Sequence, residues 1–127
     1  MITIQQIEQG ESLQPQFTIY VDDGITPYNL DNLDNVIVWF VENKSNEVYK
    51  KYSLNAKTDH DTSHFVVIDA ASGQFIINIE SSVTDLWNDG LVRFEISIED
   101  TVEGFTTYKK ICKENLYKVK PNEIHAI

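Results

Sequence analysis

The sequence predicts an all-β domain of two packed sheets, carried by many short strands and almost no helix. Three observations predict it. Apolar and polar residues alternate with period two in run after run. Glycine, proline, asparagine and aspartate clusters interrupt those runs roughly every 8–12 residues, as in sandwiches. The stretch Gly73–Asp100, GQFIINIESSVTDLWNDGLVRFEISIED, reads as strand, one helical turn, strand. Phe75, Ile77 and Ile79 share one face of its first strand. Val92, Phe94, Ile96 and Ile98 share one face of its second, with Arg93, Glu95 and Ser97 opposite. Ser81 or Ser82 can cap a turn near 82–87 that carries Val83, Leu86 and Trp87. Asn88-Asp89-Gly90 then restarts the extended chain. Such a unit suits a crossover from one sheet to the other.

The elements before this unit follow in order. Ile2–Ile7 is a first strand. Leu13–Val21 alternates, with Leu13, Pro15, Phe17, Ile19 and Val21 facing one way, and Pro15 places its early part at an edge or bulge. Asp22-Asp23-Gly24 is a turn, and 25–34 a loop anchored by Leu30 and Leu33. Asn35–Asn43, NVIVWFVEN, is apolar on both faces: Val36, Val38 and Phe40 on one, Ile37, Trp39 and Val41 on the other. A strand with one wet face does not look like this. Either it is central and covered twice, or its second face meets another subunit. Glu47–Leu54 is more polar, and its lysines suit an edge.

The later elements complete the count. Asn55–Ser63 is the most polar loop. His64–Ile68 is apolar on both faces. After an acidic turn, Phe105–Lys113 and Leu116–Lys120 extend the chain to Pro121. The sum is about seven to nine antiparallel strands in one domain, 1–120, with a C-terminal tail, 121–127.

Composition bounds the rest. A chain of 127 residues with 42% hydrophobic and 11% aromatic residues forms one core. One cysteine, Cys112, excludes an internal disulfide. The N-terminus lacks the basic and apolar regions of a signal peptide, and no apolar run is long enough for a membrane helix. The net charge of −10 argues against nucleic acid. Its distribution is uneven: residues 1–43 hold seven acids and no Lys or Arg, while Lys109, Lys110, Lys113, Lys118 and Lys120 supply half of the ten basic residues. Either the first and last strands lie side by side within one molecule, or the acidic edge of one subunit meets the basic end of another.

Few constellations for chemistry stand out. Asp59-His60-Asp61 with His64 could hold a divalent cation, and so could Asp22-Asp23 with Asp31 and Asp34. Solvated loops and turn chemistry explain both more simply. Asp61, Ser63 and His64 could be drawn as a hydrolase triad, but the residues are sequence neighbours and no G-x-S-x-G elbow is present. Lysines around Cys112 would lower its thiol pKa; a free structural cysteine is the simpler reading. Trp39 and Trp87 read as core. Exposed, and joined by Tyr20, Tyr28, Tyr49 and Tyr52, they would make a carbohydrate- or surface-binding platform instead. No metal, cofactor or enzymatic activity is expected.

The run GESLQPQFTIYVDDGITPYNL (Gly10–Leu30), followed by Asn35–Phe40, resembles tailed-bacteriophage structural domains of immunoglobulin-like fold. So do Ser72-Gly73-Gln74-Phe75 before a strand, Thr84–Trp87, Gly90 and VRFEISIED. The resemblance spans about residues 2–113 and rests on turn and alternation signals. Leu91-Val92 stands where an aromatic is frequent, and the glycine-rich hairpin is reduced to Gly104. The resemblance implies an immunoglobulin-like β-sandwich acting as a virion component, a baseplate upper protein N-terminal domain or an auxiliary capsid protein. With seven residues after Lys120 rather than a long extension, the chain fits a capsid decoration protein, as in crAss-like phages. Its partners would be other virion proteins, the major capsid protein or tail components, with self-association as a further expectation. The residues expected at a protein interface are the surplus apolar face of Ile37, Trp39 and Val41 and the basic segment with Lys109, Lys110, Lys113, Lys118 and Lys120.

Overall fold

A computed structural model describes residues 4–21 and 23–121. It is an all-β sandwich with one short helix. Among the described residues eight strands run in chain order: β1 (Gln5–Glu8), β2 (Gln16–Thr18), β3 (Asn35–Glu42), β4 (Val48–Ser53), β5 (Phe65–Asp69), β6 (Gln74–Ile77), β7 (Gly90–Val102) and β8 (Phe105–Lys120). Helix α1 (Ser81–Thr84) separates β6 from β7. The large sheet has the order β1-β8-β7-β3-β4 and the small one β2-β6-β5. The unit from β6 through α1 to β7 is therefore the crossover between sheets that its pattern predicts.

The alternation of the sequence places the core. Phe17, Phe65, Phe75 and Ile77 of the small sheet face Val36, Val38, Phe40, Phe94 and Ile96 of the large one, all buried. Phe17 touches both layers, its ring centroid 5.4 Å from that of Phe75 and 4.9 Å from that of Phe94. Each such side chain stabilises the fold by about 1.5–3 kcal/mol relative to exposure. Trp87 closes one end of the core, 1% exposed, stacked on Tyr49 at 5.6 Å and on Phe40 at 6.0 Å.

Local details differ from the expectation in three places. No serine side chain caps α1: Glu80 occupies the N-cap position without a side-chain bond. Leu86 points out at 76% exposure, because the turn that buries Trp87 directs its neighbour to solvent. The strands are not all antiparallel, since β1 pairs parallel with β8, Gln5 opposite Tyr117 and Glu8 opposite Lys120. The first and last strands thus lie side by side in one molecule. Residues 2–3 of the expected first strand and 122–127 of the expected tail lie outside the described residues.

Gly73 lets the turn before β6 pass close to the segment between β2 and β3. Its φ is +66°, and a Cβ there would meet the carbonyl oxygens of Ile19 and Tyr28 at 2.8 Å. Only glycine fits such a position. Asp69 accepts from the Ser72 backbone N–H and its hydroxyl just before it, closing a single 3-10 turn over Ala70–Ser72.

Candidate interaction surfaces

Strand β3 is central, between β7 and β4, and its second face is covered within the chain. Ile37 and Val41 are each 1% exposed, so neither offers surface to a partner; Trp39 alone of the expected apolar face keeps partial exposure. The covering is polar. Arg93, Glu95 and Ser97, opposite Val41, Trp39 and Ile37 in the ladder, are buried too. Arg93 Nε donates to Glu95 Oε2 at 2.9 Å, and Arg93 Nη1 donates to Asn43 Oδ1 at 3.3 Å. The Lys110 ammonium donates to the other Glu95 oxygen and lies 5.9 Å from the Trp39 ring centroid. Burial pushes the Glu95 carboxyl up, but the hydrogen bonds from Lys110 and Arg93 outweigh it and hold the pKa below the ordinary value. From the other side the loop after β4 reaches across: Lys57 pairs with Glu99 and stands 5.8 Å from the Tyr108 ring.

The basic residues do not form one patch. Lys110 and Lys113 lie opposite Ser97 and Glu95, on the outer face of the large sheet. Lys109 lies opposite Ile98, on the other face. Lys118 and Lys120 sit at the far end, beside Gln6 and Glu8 of β1. Lys109 and Lys110 part because neighbours on a strand point to opposite faces, and a bulge brings Lys113 onto the face of Lys110. The register shifts between Ile96 and Ser97 and between Val92 and Arg93, leaving Ile111 and Leu116 as extra residues in β8.

An opening that sequence periodicity does not signal lies between β2 and β8. It is a cleft of about 530 Å³ with Phe17, Phe94 and Ile96 at its base, Thr18–Val21 on one wall and Lys109–Cys112 on the other. It exists because β1 covers β8 only from Tyr117 to Lys120. Between Phe105 and Leu116, no described strand pairs with β8 on the side away from β7. Its far end, with β7, forms a hairpin arm whose Val102, Phe105 and Tyr108 are 59%, 76% and 51% exposed. Pro15 is the one hint in the sequence; of the strand expected over Leu13–Val21 only Gln16–Thr18 pairs as β2, so this side of the sandwich is thin. Cys112 lines the cleft, but burial, with Glu114 nearby, raises its thiol pKa rather than lowering it. It is a poor nucleophile at neutral pH.

The small sheet has a second open edge. β5 pairs only with β6, and Val66, Val67 and Ile68 are 41%, 39% and 47% exposed. The strand that reads as apolar on both faces is thus left largely exposed, because β5 ends its sheet.

Asp61, Ser63 and His64 do meet, in an arrangement unlike a hydrolase triad. Asp61 Oδ2 and Ser63 Oγ both address His64 Nδ1, at 2.7 and 3.1 Å, while Nε2 faces Glu80 Oε1 at 2.5 Å. A relay of these three needs the serine and the aspartate on opposite ring nitrogens; here they share Nδ1, and Ser63 Oγ itself donates to Asp61 Oδ1 at 3.0 Å. Lys50 Nζ lies 3.1 Å from the same Asp61 oxygen. Burial pushes the Asp61 carboxyl up, yet hydrogen bonds from His64, Lys50 and Ser63 win and hold it far below the ordinary range. The cluster ties the loop after β4 to β5 and to the start of α1. His60 is directed elsewhere: burial lowers its pKa, and Lys51 and Lys57 lower it further. Among the described residues no three His, Cys, Asp or Glu side chains converge to hold a metal; Asp22 of the second expected cation set lies outside them. Nor do the aromatics form a platform, because Trp87 and Tyr52 are each 1% exposed.

Compared with protein-family models and with curated proteins, the chain matches none.

Proposed function

We propose that this protein is a non-enzymatic structural component of a virion, an auxiliary or decoration protein that binds the capsid through protein–protein contacts. The observation that carries the contact part is the edge of β8 from Phe105 to Leu116, where no described strand pairs on the side away from β7, beside a cleft with an apolar base. Unpaired strand edges recruit other chains by backbone hydrogen bonding, and a cleft beside one takes their side chains. The projecting arm with Val102 and Phe105 enlarges the surface available for such contacts. The virion part rests on the resemblance of Gly10–Phe40 and of the Gly73–Asp100 unit to tailed-phage immunoglobulin-like domains. The acidic surface is compatible with a shell protein that does not touch the packaged nucleic acid.

The test is mass spectrometry and cryo-electron microscopy of purified particles from the source of the gene. A stoichiometric copy of the chain on the shell is the expected outcome. Particles that contain no trace of it would overturn the reading. The same images separate a capsid position from a tail or baseplate position.

A further inference from the structure

We propose that His64 is a proton-operated latch on the corner where the chain leaves the small sheet. Carrying two protons, its ring holds Glu80, the N-cap residue of α1; on losing one, it releases Glu80 and keeps Asp61.

The geometry requires the charged ring in the closed state. Nδ1 lies 2.7 Å from Asp61 Oδ2, and Nε2 lies 2.5 Å from Glu80 Oε1. An ionised carboxylate only accepts, so both ring nitrogens must donate, and only the imidazolium has two N–H groups. A neutral ring turns a lone pair toward one of the two carboxylates. One proton therefore sets two states.

The surroundings decide which contact is given up. Asp61 is fixed from several sides. Its side chain is 14% exposed, and Lys50 Nζ lies 3.1 Å from Oδ2. Oδ1 accepts from the Ser63 hydroxyl at 3.0 Å and from the His64 backbone N–H at 3.1 Å. The Asp61 backbone is held too, its N–H donating to the Lys51 carbonyl and its carbonyl accepting from the Ser53 N–H. The Glu80 side chain is 52% exposed and makes no cap bond to α1, so it turns to solvent at little cost. Nδ1 thus keeps its proton on Asp61, and Nε2 gives up both its proton and Glu80. Two further groups face the cluster from β4. One is the Lys50 ammonium. The other is the buried Tyr52 phenol, whose pKa is pushed up by burial and then by the Asp61 and Glu80 charges. Neither changes charge where imidazoles do. With the ring charged, His64 and Lys50 balance the two carboxylates; with it neutral, one negative charge is left over.

The ring itself stays at the corner in both states, because the His64 carbonyl accepts from the Asn78 N–H at 2.9 Å. What Glu80 anchors is α1. Its carbonyl accepts from the Val83 and Thr84 N–H groups at 3.0 and 3.3 Å, and the Thr84 hydroxyl donates to the Glu11 carbonyl at 2.8 Å. Release of the Glu80 side chain loosens the turn that carries the chain from β6 to β7.

The experiment is proton–nitrogen NMR of the histidine rings in the nitrogen-labelled full chain. The pH is raised from about 5 until the ring signals stop moving, and amide exchange protection is read at both ends. The chain has three histidines, and the signals lost in His64→Phe assign the ring. Both His64 nitrogens are expected to carry hydrogen at the acid end, and Nδ1 alone at the other. Protection of the Val83 and Thr84 amides is expected to fall about fivefold across the titration, the scale of one partly exposed ion pair. Glu80→Gln is the discriminating variant. Its side-chain amide accepts from the charged ring or donates to the neutral one, so its protection should stay level. A neutral ring with its proton on Nε2 overturns the proposal, and so does a ring that keeps both protons until the protein unfolds. Wild-type protection that is the same at both ends overturns it as well, as does a fall in Glu80→Gln equal to that of the wild type. Should circular dichroism show that variant unfolded, the two wild-type measurements decide alone.

Discussion

Arg93 Nε and Glu95 Oε2 lie 2.9 Å apart, both side chains less than a tenth exposed, on the face of the large sheet that also carries Ile37 and Val41. With Lys110 the pair lies beside Ile37 and Val41, which are buried within the single chain. Removing one partner strands a buried charge, which costs about 3–5 kcal/mol in comparable buried pairs. Glu95→Leu is therefore expected to lower the urea unfolding free energy by about that amount, with Lys110 losing its partner as well. Arg93→Met combined with Glu95→Leu removes both charges and should recover most of the loss. A double variant less stable than Glu95→Leu alone would contradict this account.

The Tyr49 hydroxyl donates to Glu42 Oε2 at 2.7 Å and accepts from the Asn88 backbone N–H at 2.9 Å, locking the β3–β4 hairpin to the corner that precedes β7. Hydrogen bonds from Ser45, Tyr49 and Asn88 bring the Glu42 pKa down from 4.5 to about 2. The carboxylate's contribution to stability is full above 4.5 and is lost as pH falls toward about 2. Burial, then the bond to Glu42, pushes Tyr49 up to about 12. Its contribution is present below its ordinary value of 10.0 and is lost as pH rises through about 12. Tyr49→Phe should flatten both arms of the stability-versus-pH curve, measured by thermal melts from pH 2 upward. Unchanged arms would show that the clamp is absent in solution.

Gly73→Ala is expected to destabilise by more than the ordinary 1 kcal/mol or so of a glycine at positive φ. The added methyl would press on two backbone carbonyls, of Ile19 and Tyr28, that cannot rotate away. Gly24→Ala, also at positive φ but with open space around it, is the control and should cost clearly less. Denaturant midpoints of the two variants give the comparison.

The two tryptophans differ in environment, which fluorescence reads. Trp87 is sealed among Phe40, Tyr49 and Tyr117, whereas Trp39 is partly exposed under the Lys110 amine. Iodide should quench one population only, and Trp39→Phe should remove it. Two equally quenched populations would place Trp87 at the surface and reopen the sugar-platform reading.

Which residues lie together along each strand is legible in the local pattern. Alternation set Phe75 with Ile77 and Val92 with Phe94, Ile96 and Ile98, since side chains on a strand repeat every second residue. The apolar anchors Leu30 and Leu33, the edge position of β4 and the sheet-to-sheet crossover through Trp87 follow from the same local signals. What covers each face depends on partners brought in by the fold. Ile37 and Val41 look like a surplus until Arg93, Glu95 and Lys110 arrive from β7 and β8, more than fifty residues away. Likewise the parallel seat of β1 on β8, the bulges at Ile111 and Leu116 and the cleft between β2 and β8 depend on partner strands and register. Periodicity reports the side of a strand a residue occupies, and only the folded chain supplies the neighbour that closes or opens that side.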